Sequence, residues 1–133
     1  NKFYSIDLET GSINWTQKIN SFIKPSVIGD LILTVSDEGY FFIIEKTTGN
    51  IIRITNIFKN IKKQRKSKIT PIGFIYNYEE VYISTDKGKL FIMDLENGLI
   101  KKVVKVDNNK ISRPFAKENN IYLVKDNSII KLN

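Results

Sequence analysis

One short pattern occurs three times in this chain, and it constrains the fold more than any other feature. Its first copy is Tyr4-Ser5-Ile6-Asp7-Leu8-Glu9-Thr10-Gly11-Ser12-Ile13-Asn14-Trp15. The second is Phe42-Ile43-Ile44-Glu45-Lys46-Thr47-Thr48-Gly49-Asn50-Ile51-Ile52-Arg53, and the third is Phe91-Ile92-Met93-Asp94-Leu95-Glu96-Asn97-Gly98-Leu99-Ile100-Lys101-Lys102. Each has an acid four residues before a glycine, with apolar residues on both sides. This reads as a strand, a tight turn and a returning strand, and its recurrence means that one supersecondary unit is repeated.

Taken in order, residues 3–7 and 13–19 form the opening hairpin around Gly11. Ile23 to Ile28 follows with Pro25 near its start, where a missing N–H donor is tolerable. Leu31 to Val35, Tyr40 to Glu45 and Ile51 to Ile57 come next, separated by Gly29-Asp30, Ser36-Asp37-Glu38-Gly39 and the Gly49 turn. The unit then returns as Ile69 to Tyr76, Val81 to Thr85, Leu90 to Asp94 and Leu99 to Val106. A third unit starts at Ile111-Ser112-Arg113-Pro114 and continues through Ile121 to Val124 and Ile129 to Leu132. A helical reading fails because Gly, Asp and Asn separate the apolar runs before three turns can form.

Pro25, Pro71 and Pro114 recur at a spacing of about 45 residues, and four strands per repeat of 40–50 residues is the signature of a β-propeller blade. The third strands, Phe41 to Ile44 and Leu90 to Met93, are nearly continuous in apolar residues, as expected of a sheet covered on both faces. The expected fold is therefore all-β, a β-propeller fragment of about three four-stranded antiparallel blades with partial blades at both ends. We expect a half blade at 1–20, blades at 21–58 and 69–107, and a three-stranded last blade at 111–132. The 133 residues suit a single domain of this kind but cannot close a ring of four to eight blades alone. The absent initiator methionine points to a processed or excised chain, and Leu132-Asn133 reads as a true C-terminus. No leader is visible, since Asn1-Lys2-Phe3 already reads as the start of a strand. No run of about 18 apolar residues is present to span a membrane as a helix.

The chain has no cysteine and no histidine, which removes disulfides, thiolate nucleophiles, zinc-ligand spacings and the usual general base. Catalytic, cofactor-binding and metal-ligating residues are accordingly expected to be none. Asp37, Asp86 and Asp126 sit in turn sequences, where an aspartate side chain bonds nearby backbone. Glu79-Glu80 reads as another turn with solvated carboxylates. Trp15, following the Gly11 turn, is expected to pack one blade on the next, with Gly11, Gly49 and Gly98 as the other packing positions.

The net charge of +7 is local. Lys59, Lys62, Lys63, Arg65, Lys66 and Lys68 lie within ten residues that contain no acid, and without them 15 basic residues face 14 acidic ones, a net of +1. Within this run, Lys62, Lys63, Arg65 and Lys66 are candidates for contact with an acidic partner or with anionic lipid headgroups, an attraction of about 1 kcal/mol per basic residue. No aromatic residue is interleaved with the charges for base stacking, which argues against nucleic acid. A solvated insertion between blades is the first reading of this run, and contact with such a partner or with headgroups the second.

The segment Asp7-x-x-Thr10-Gly11-x-x-x-Trp15 resembles the tryptophan-docking repeat of the PQQ-like (quinoprotein-type) eight-bladed β-propellers. In that family a small residue stands two before the aspartate, here Ser5, and the tryptophan clamps adjacent blades. The later copies keep the turn but carry Arg53 and Lys102 in place of the clamp. Within this repeat family, Ser84 to Leu90, Pro114 and Ile121 to Leu132 are similar to the closing blades of the BamB family of outer-membrane assembly lipoproteins. That resemblance implies a non-enzymatic, protein-binding scaffold in the periplasm, held at the outer membrane by a lipidated cysteine far upstream. Its partner would be the barrel-assembly machinery. The family's docking loops lie in earlier blades, so no partner-contacting residue is carried over. A sensor or ligand-binding propeller of the same repeat type is the second reading. A quinoprotein dehydrogenase is third, because such enzymes need a calcium-bound cofactor with acidic and amide ligands and often a vicinal disulfide. The open ends of the first and last blades further imply self-association through strand edges.

Overall fold

The computed structural model of the chain describes residues 1–62 and 69–132. These residues form thirteen strands and no helix, arranged in four antiparallel sheets. The chain divides into two compact units, Asn1–Asn56 and Ile57–Asn133.

In the first unit, β1 (Phe3–Ile6) pairs with β2 (Ile13–Gln17). A four-stranded sheet follows in sequential order: β3 (Ser26–Ile28), β4 (Leu31–Val35), β5 (Tyr40–Glu45) and β6 (Ile51–Asn56). Phe41, Phe42, Ile43 and Ile44 of β5 are all buried, as are Leu33 and Val35 of β4, so this sheet is covered on both faces at its centre. A run without polar alternation is what such a strand requires. On one of those faces Phe42, Ile44 and Ile32 pack with Trp15 and Ile19, and Phe3 closes over them.

In the second unit a four-stranded sheet comprises β7 (Pro71–Tyr76), β8 (Glu80–Thr85), β9 (Lys89–Asp94) and β10 (Ile100–Lys105), again in sequential order. It is followed by a three-stranded sheet of β11 (Phe115–Lys117), β12 (Asn120–Lys125) and β13 (Ser128–Leu132). Leu90, Ile111 and Leu123 form the buried core between these two sheets, with Ile92, Val104, Val106 and Leu132 around it.

Two ties recur. The turn after β4 is bound to the segment before β3: Asp37 N–H donates to Asn20 O (2.9 Å), and Phe22 N–H donates to Asp37 Oδ1 (3.3 Å). The turn after β8 repeats this, with Asp86 N–H on Thr70 O (2.9 Å) and Thr70 N–H on Asp86 Oδ1 (2.8 Å). Asp37 and Asp86 thus hold the strand that opens each sheet, using a carboxylate where the ladder itself has not yet begun. Asp126 lies in the two-residue turn between β12 and β13 with φ of +50°, a conformation that aspartate tolerates better than most residues.

The structure corrects three expectations. The first strand of each unit starts later than its apolar residues suggest: β3 begins at Ser26, after Pro25, and β11 at Phe115, after Pro114. Residues 111–114 instead serve packing. Ile111 is buried, and the Arg113 side chain lies against Gly73, where a Cβ would come within 2.6 Å of it. Arg113 Nε donates to Phe74 O (3.1 Å), while Ser112 meets β12 outside the strand ladder, its N–H on Val124 O (3.0 Å) and its hydroxyl accepting from Val124 N–H (2.8 Å). Finally, Glu80 is not a solvated turn residue but the first residue of β8, engaged as described below.

Candidate functional site

The three copies of the sequence pattern adopt one backbone turn. Gly11 N–H donates to Asp7 O (2.8 Å), Gly49 N–H to Glu45 O (2.9 Å) and Gly98 N–H to Asp94 O (2.9 Å). The acid's own N–H then reaches the residue after the glycine: Asp7 to Ser12 O, Glu45 to Asn50 O and Asp94 to Leu99 O, each 2.8 Å. The carboxylates close the turn from within. Asp7 Oδ1 accepts from Glu9 N–H and Thr10 N–H, and Asp94 Oδ1 accepts from Glu96 N–H and Asn97 N–H. The Thr10 amide and hydroxyl hold the Asp7 carboxyl below its ordinary range. All three glycines have φ near +75°, which is the reason for glycine at these positions.

Each turn also ends in a β-bulge. Ser5 pairs with Trp15 but Ile6 with Ile13, which leaves Asn14 unpaired. The same shift leaves Ile52 unpaired before Arg53 and Lys101 unpaired before Lys102. The bulge re-aims the residue that follows it. In the first copy that residue is Trp15, whose ring is 9% exposed and lies flat on Gly49: a Cβ there would fall 2.4 Å from ring atom Cδ2. Trp15 Nε1 donates to Lys46 O (2.8 Å), Gln17 Nε2 donates to Gly49 O (2.6 Å), and Phe3 stacks on the indole at 6.1 Å. The first hairpin is therefore seated on the β5–β6 turn of the next sheet through one side chain.

The other packing candidates differ from this. Where a Cβ of Gly11 would stand there is open space, so that glycine serves its turn alone. Gly98 is buried within the third turn. Arg53 is half-buried, while Lys102 is exposed and borders a cleft of about 320 Å³ lined by Ile92, Val104, Ile121 and Leu132. An ammonium on a flexible stem does not fill the space that an indole fills. Of the basic candidates, Lys62 is exposed, whereas Lys63, Arg65 and Lys66 lie outside the described residues.

A polar cluster in the second unit carries no obvious sequence signal. The Tyr82 hydroxyl donates to Glu80 Oε2, and Lys101 Nζ holds the other oxygen of Glu80 at 2.9 Å, with Asp94 Oδ2 at 4.0 Å. Glu80 and Tyr82 are two apart on β8 and so share a face, a relation visible in sequence. Lys101 reaches them because it is the unpaired bulge residue. The Tyr82 and Lys101 hydrogen bonds hold the Glu80 carboxyl below its ordinary range, and the Lys101 ammonium is raised by the same bond. Burial, reinforced by the hydrogen bond to Glu80, pushes the Tyr82 hydroxyl up to about 12. The sign for stability follows: Tyr82 favours the fold while neutral, and its contribution is lost as pH rises through about 12. Glu80 contributes above its ordinary carboxylate range, and that contribution is lost as pH falls through its lowered value. In a spectrophotometric titration, one of the six tyrosines is expected to ionise near pH 12, well after a typical tyrosine at about 10. Glu80→Gln should bring that late step earlier; an unchanged late step would remove Glu80 as a cause.

Among the described residues no group of acids, histidines or cysteines is clustered so as to hold a metal ion.

The family model for the outer membrane protein assembly factor BamB matches residues 1–55, the segment that contains the Trp15 seat and its Gly49 partner. No curated protein sequence matches the chain. Among solved structures, BamB from Moraxella catarrhalis is similar with a TM-score of 0.72 at 13% identity, over 98% of this chain and 36% of that one. The computationally designed Ika4 protein gives a TM-score of 0.70 at 10% identity, over 96% of this chain and 76% of that one. The β-propeller domain of Cps50 (Swd1) from Myceliophteria thermophila gives 0.66 at 14% identity, over 92% and 42%. At such identities the likeness is one of fold, which does not by itself carry activity. The chain spans about a third of the Moraxella protein's length. Residues 1–55 are thus similar to the BamB family model, within an all-β chain whose fold is that of β-propeller segments.

Proposed function

We propose that the chain is part of a non-enzymatic, protein-binding scaffold of the BamB kind, acting in the periplasm at the outer membrane to assist assembly of β-barrel proteins. The observation that carries this reading is the match of residues 1–55 to the family model for the outer membrane protein assembly factor BamB. That segment contains the one tryptophan seat of the chain and the glycine it requires. The direct test is a pull-down of the full-length protein against the barrel-assembly machinery at moderate salt. Recovery of a component supports the scaffold role, and failure to recover any counts against it. The basic run, Lys62 together with Lys63, Arg65 and Lys66, would add contact with an acidic partner surface or with lipid headgroups. Recovery that is insensitive to salt would remove that contribution.

Self-association belongs to the same reading. Among the described residues, β1 and β13 each pair on one side only. Ile129, at the start of β13, is 70% exposed. Unprotected strand edges recruit further strands. Light scattering at high protein concentration is expected to show species larger than the monomer, and a strictly monomeric mass would refute the idea.

A further inference from the structure

The second unit contains an open cavity of about 460 Å³ between the β7–β8 end of the four-stranded sheet and the β11–β12 hairpin. Its size is that of a small-molecule site rather than of a packing defect. Ile75 and Ile121 supply apolar wall, and Tyr76 and Tyr82 bring two phenol rings to it. Tyr82 is fixed in place because its hydroxyl is held by Glu80.

Tyr82, Asn77 and Asn120 are engaged within the protein, but other polar side chains around this cavity are unspent. Within the described residues the side chains of Tyr76, Lys117, Glu118 and Asn119 make no hydrogen bond or ion pair. Asn77 Oδ1 is engaged by the Glu79 and Glu80 amides, and its NH₂ group is turned to the Tyr82 hydroxyl. The rim therefore carries one cation and one anion, and its amides, hydroxyl and carboxylate offer donors and acceptors in comparable number. A lining of no net charge does not select an ion. It suits a neutral ligand in which every polar group both donates and accepts, with C–H faces to set against the rings.

The hairpin that carries these groups is built at a cost. Glu118 and Asn119 fill its two-residue turn with φ of +50° and +62°. Asparagine is at home in that region, whereas glutamate is not, and either glycine or asparagine would make the turn more readily. A glutamate kept in a left-handed turn, with its carboxylate at a cavity and bonded to nothing, is the kind of local strain that accompanies a binding role.

We propose that this cavity binds a small neutral saccharide, with Glu118 and Asn119 bonding vicinal hydroxyls and Tyr76 offering a ring face to the sugar. This goes beyond the scaffold reading and is independent of it. The test is an NMR titration of the whole chain with glucose, N-acetylglucosamine and maltose at millimolar concentration, using glucuronate and glucosamine as charged comparators. Saturable shifts of the Asn77 and Asn119 side-chain amides are expected with at least one neutral sugar, and weaker ones with both comparators. Glu118→Asn suits the turn, so its thermal midpoint should be unchanged or higher while sugar affinity drops about tenfold. The proposal is overturned if no neutral sugar binds saturably, or if a charged comparator binds as well. Undiminished binding by the folded Glu118→Asn variant would also overturn it.

Discussion

Replacing Trp15 with alanine is expected to cost about 3–5 kcal/mol of folding stability, the range for removing a large buried aromatic side chain. The indole is the centre of the cluster formed by Phe3, Ile19, Ile32, Phe42 and Ile44, so its loss leaves a void that those residues cannot all close. Trp15→Phe should cost less, since a ring remains to stack with Phe3 while the hydrogen bond to Lys46 O, worth about 1 kcal/mol, is lost. Chemical denaturation followed by far-ultraviolet circular dichroism measures both variants. In the parent protein the emission of this single tryptophan reports the same seat directly. A loss below about 1 kcal/mol for the alanine variant would mean that the ring is not packed as described.

The glycines provide the second large effect, because three with nearly the same φ differ in what surrounds them. Gly11→Ala meets open space, so only the left-handed backbone is penalised, by about 1–2 kcal/mol. Gly49→Ala adds a collision with the Trp15 ring at 2.4 Å, and a forced shift of a packed ring costs about 1–3 kcal/mol more. Gly88→Ala should be the most damaging. Its Cβ would stand 2.2 Å from Asp107 O and 2.6 Å from Asn109 O, and backbone cannot swing aside as a side chain can. Gly88 O also accepts the Val106 and Asp107 amides at 2.8 and 3.1 Å, which ties the same segment in place. The expected order of destabilisation is Gly11, then Gly49, then Gly88. A double-mutant cycle isolates the contact: in a Trp15→Ala background, Gly49→Ala should fall to the cost seen at Gly11. If the two changes are additive, the ring and the glycine are not in contact.

Much of this fold was legible because its signals are local. The β4, β5 and β9 strands are short apolar runs bounded by glycine or acid–glycine turns, and strand and turn chemistry depend on neighbours in sequence. The repeated acid-to-glycine spacing was readable for the same reason, since both ends of each turn bond within five residues. Features that depend on distant residues were not readable. Nothing near Gly73 shows that Arg113 will lie on it, forty residues later. Glu80 looked like a solvated neighbour of Glu79. Its partner Lys101 comes within reach only because a register shift in the β9–β10 ladder leaves that lysine unpaired.

The candidate sites divide in the same way. The chain's own residues established an all-β repeat, its hairpin turn, one tryptophan in a docking position and basic charge concentrated in a single run. These follow from periodicity, from the backbone freedom of glycine and from composition. Only the tertiary structure decided that Gly49 is the surface beneath Trp15 while Gly11, in an equivalent turn, supports nothing. It likewise decided that the cleft beside Lys102 stays open, and that Tyr76, Tyr82, Glu118 and Asn119 line one cavity. The physical reason is that a turn is made by the residues within it. A seat or a cavity is made by two sheets meeting, and neither sheet carries a description of the other.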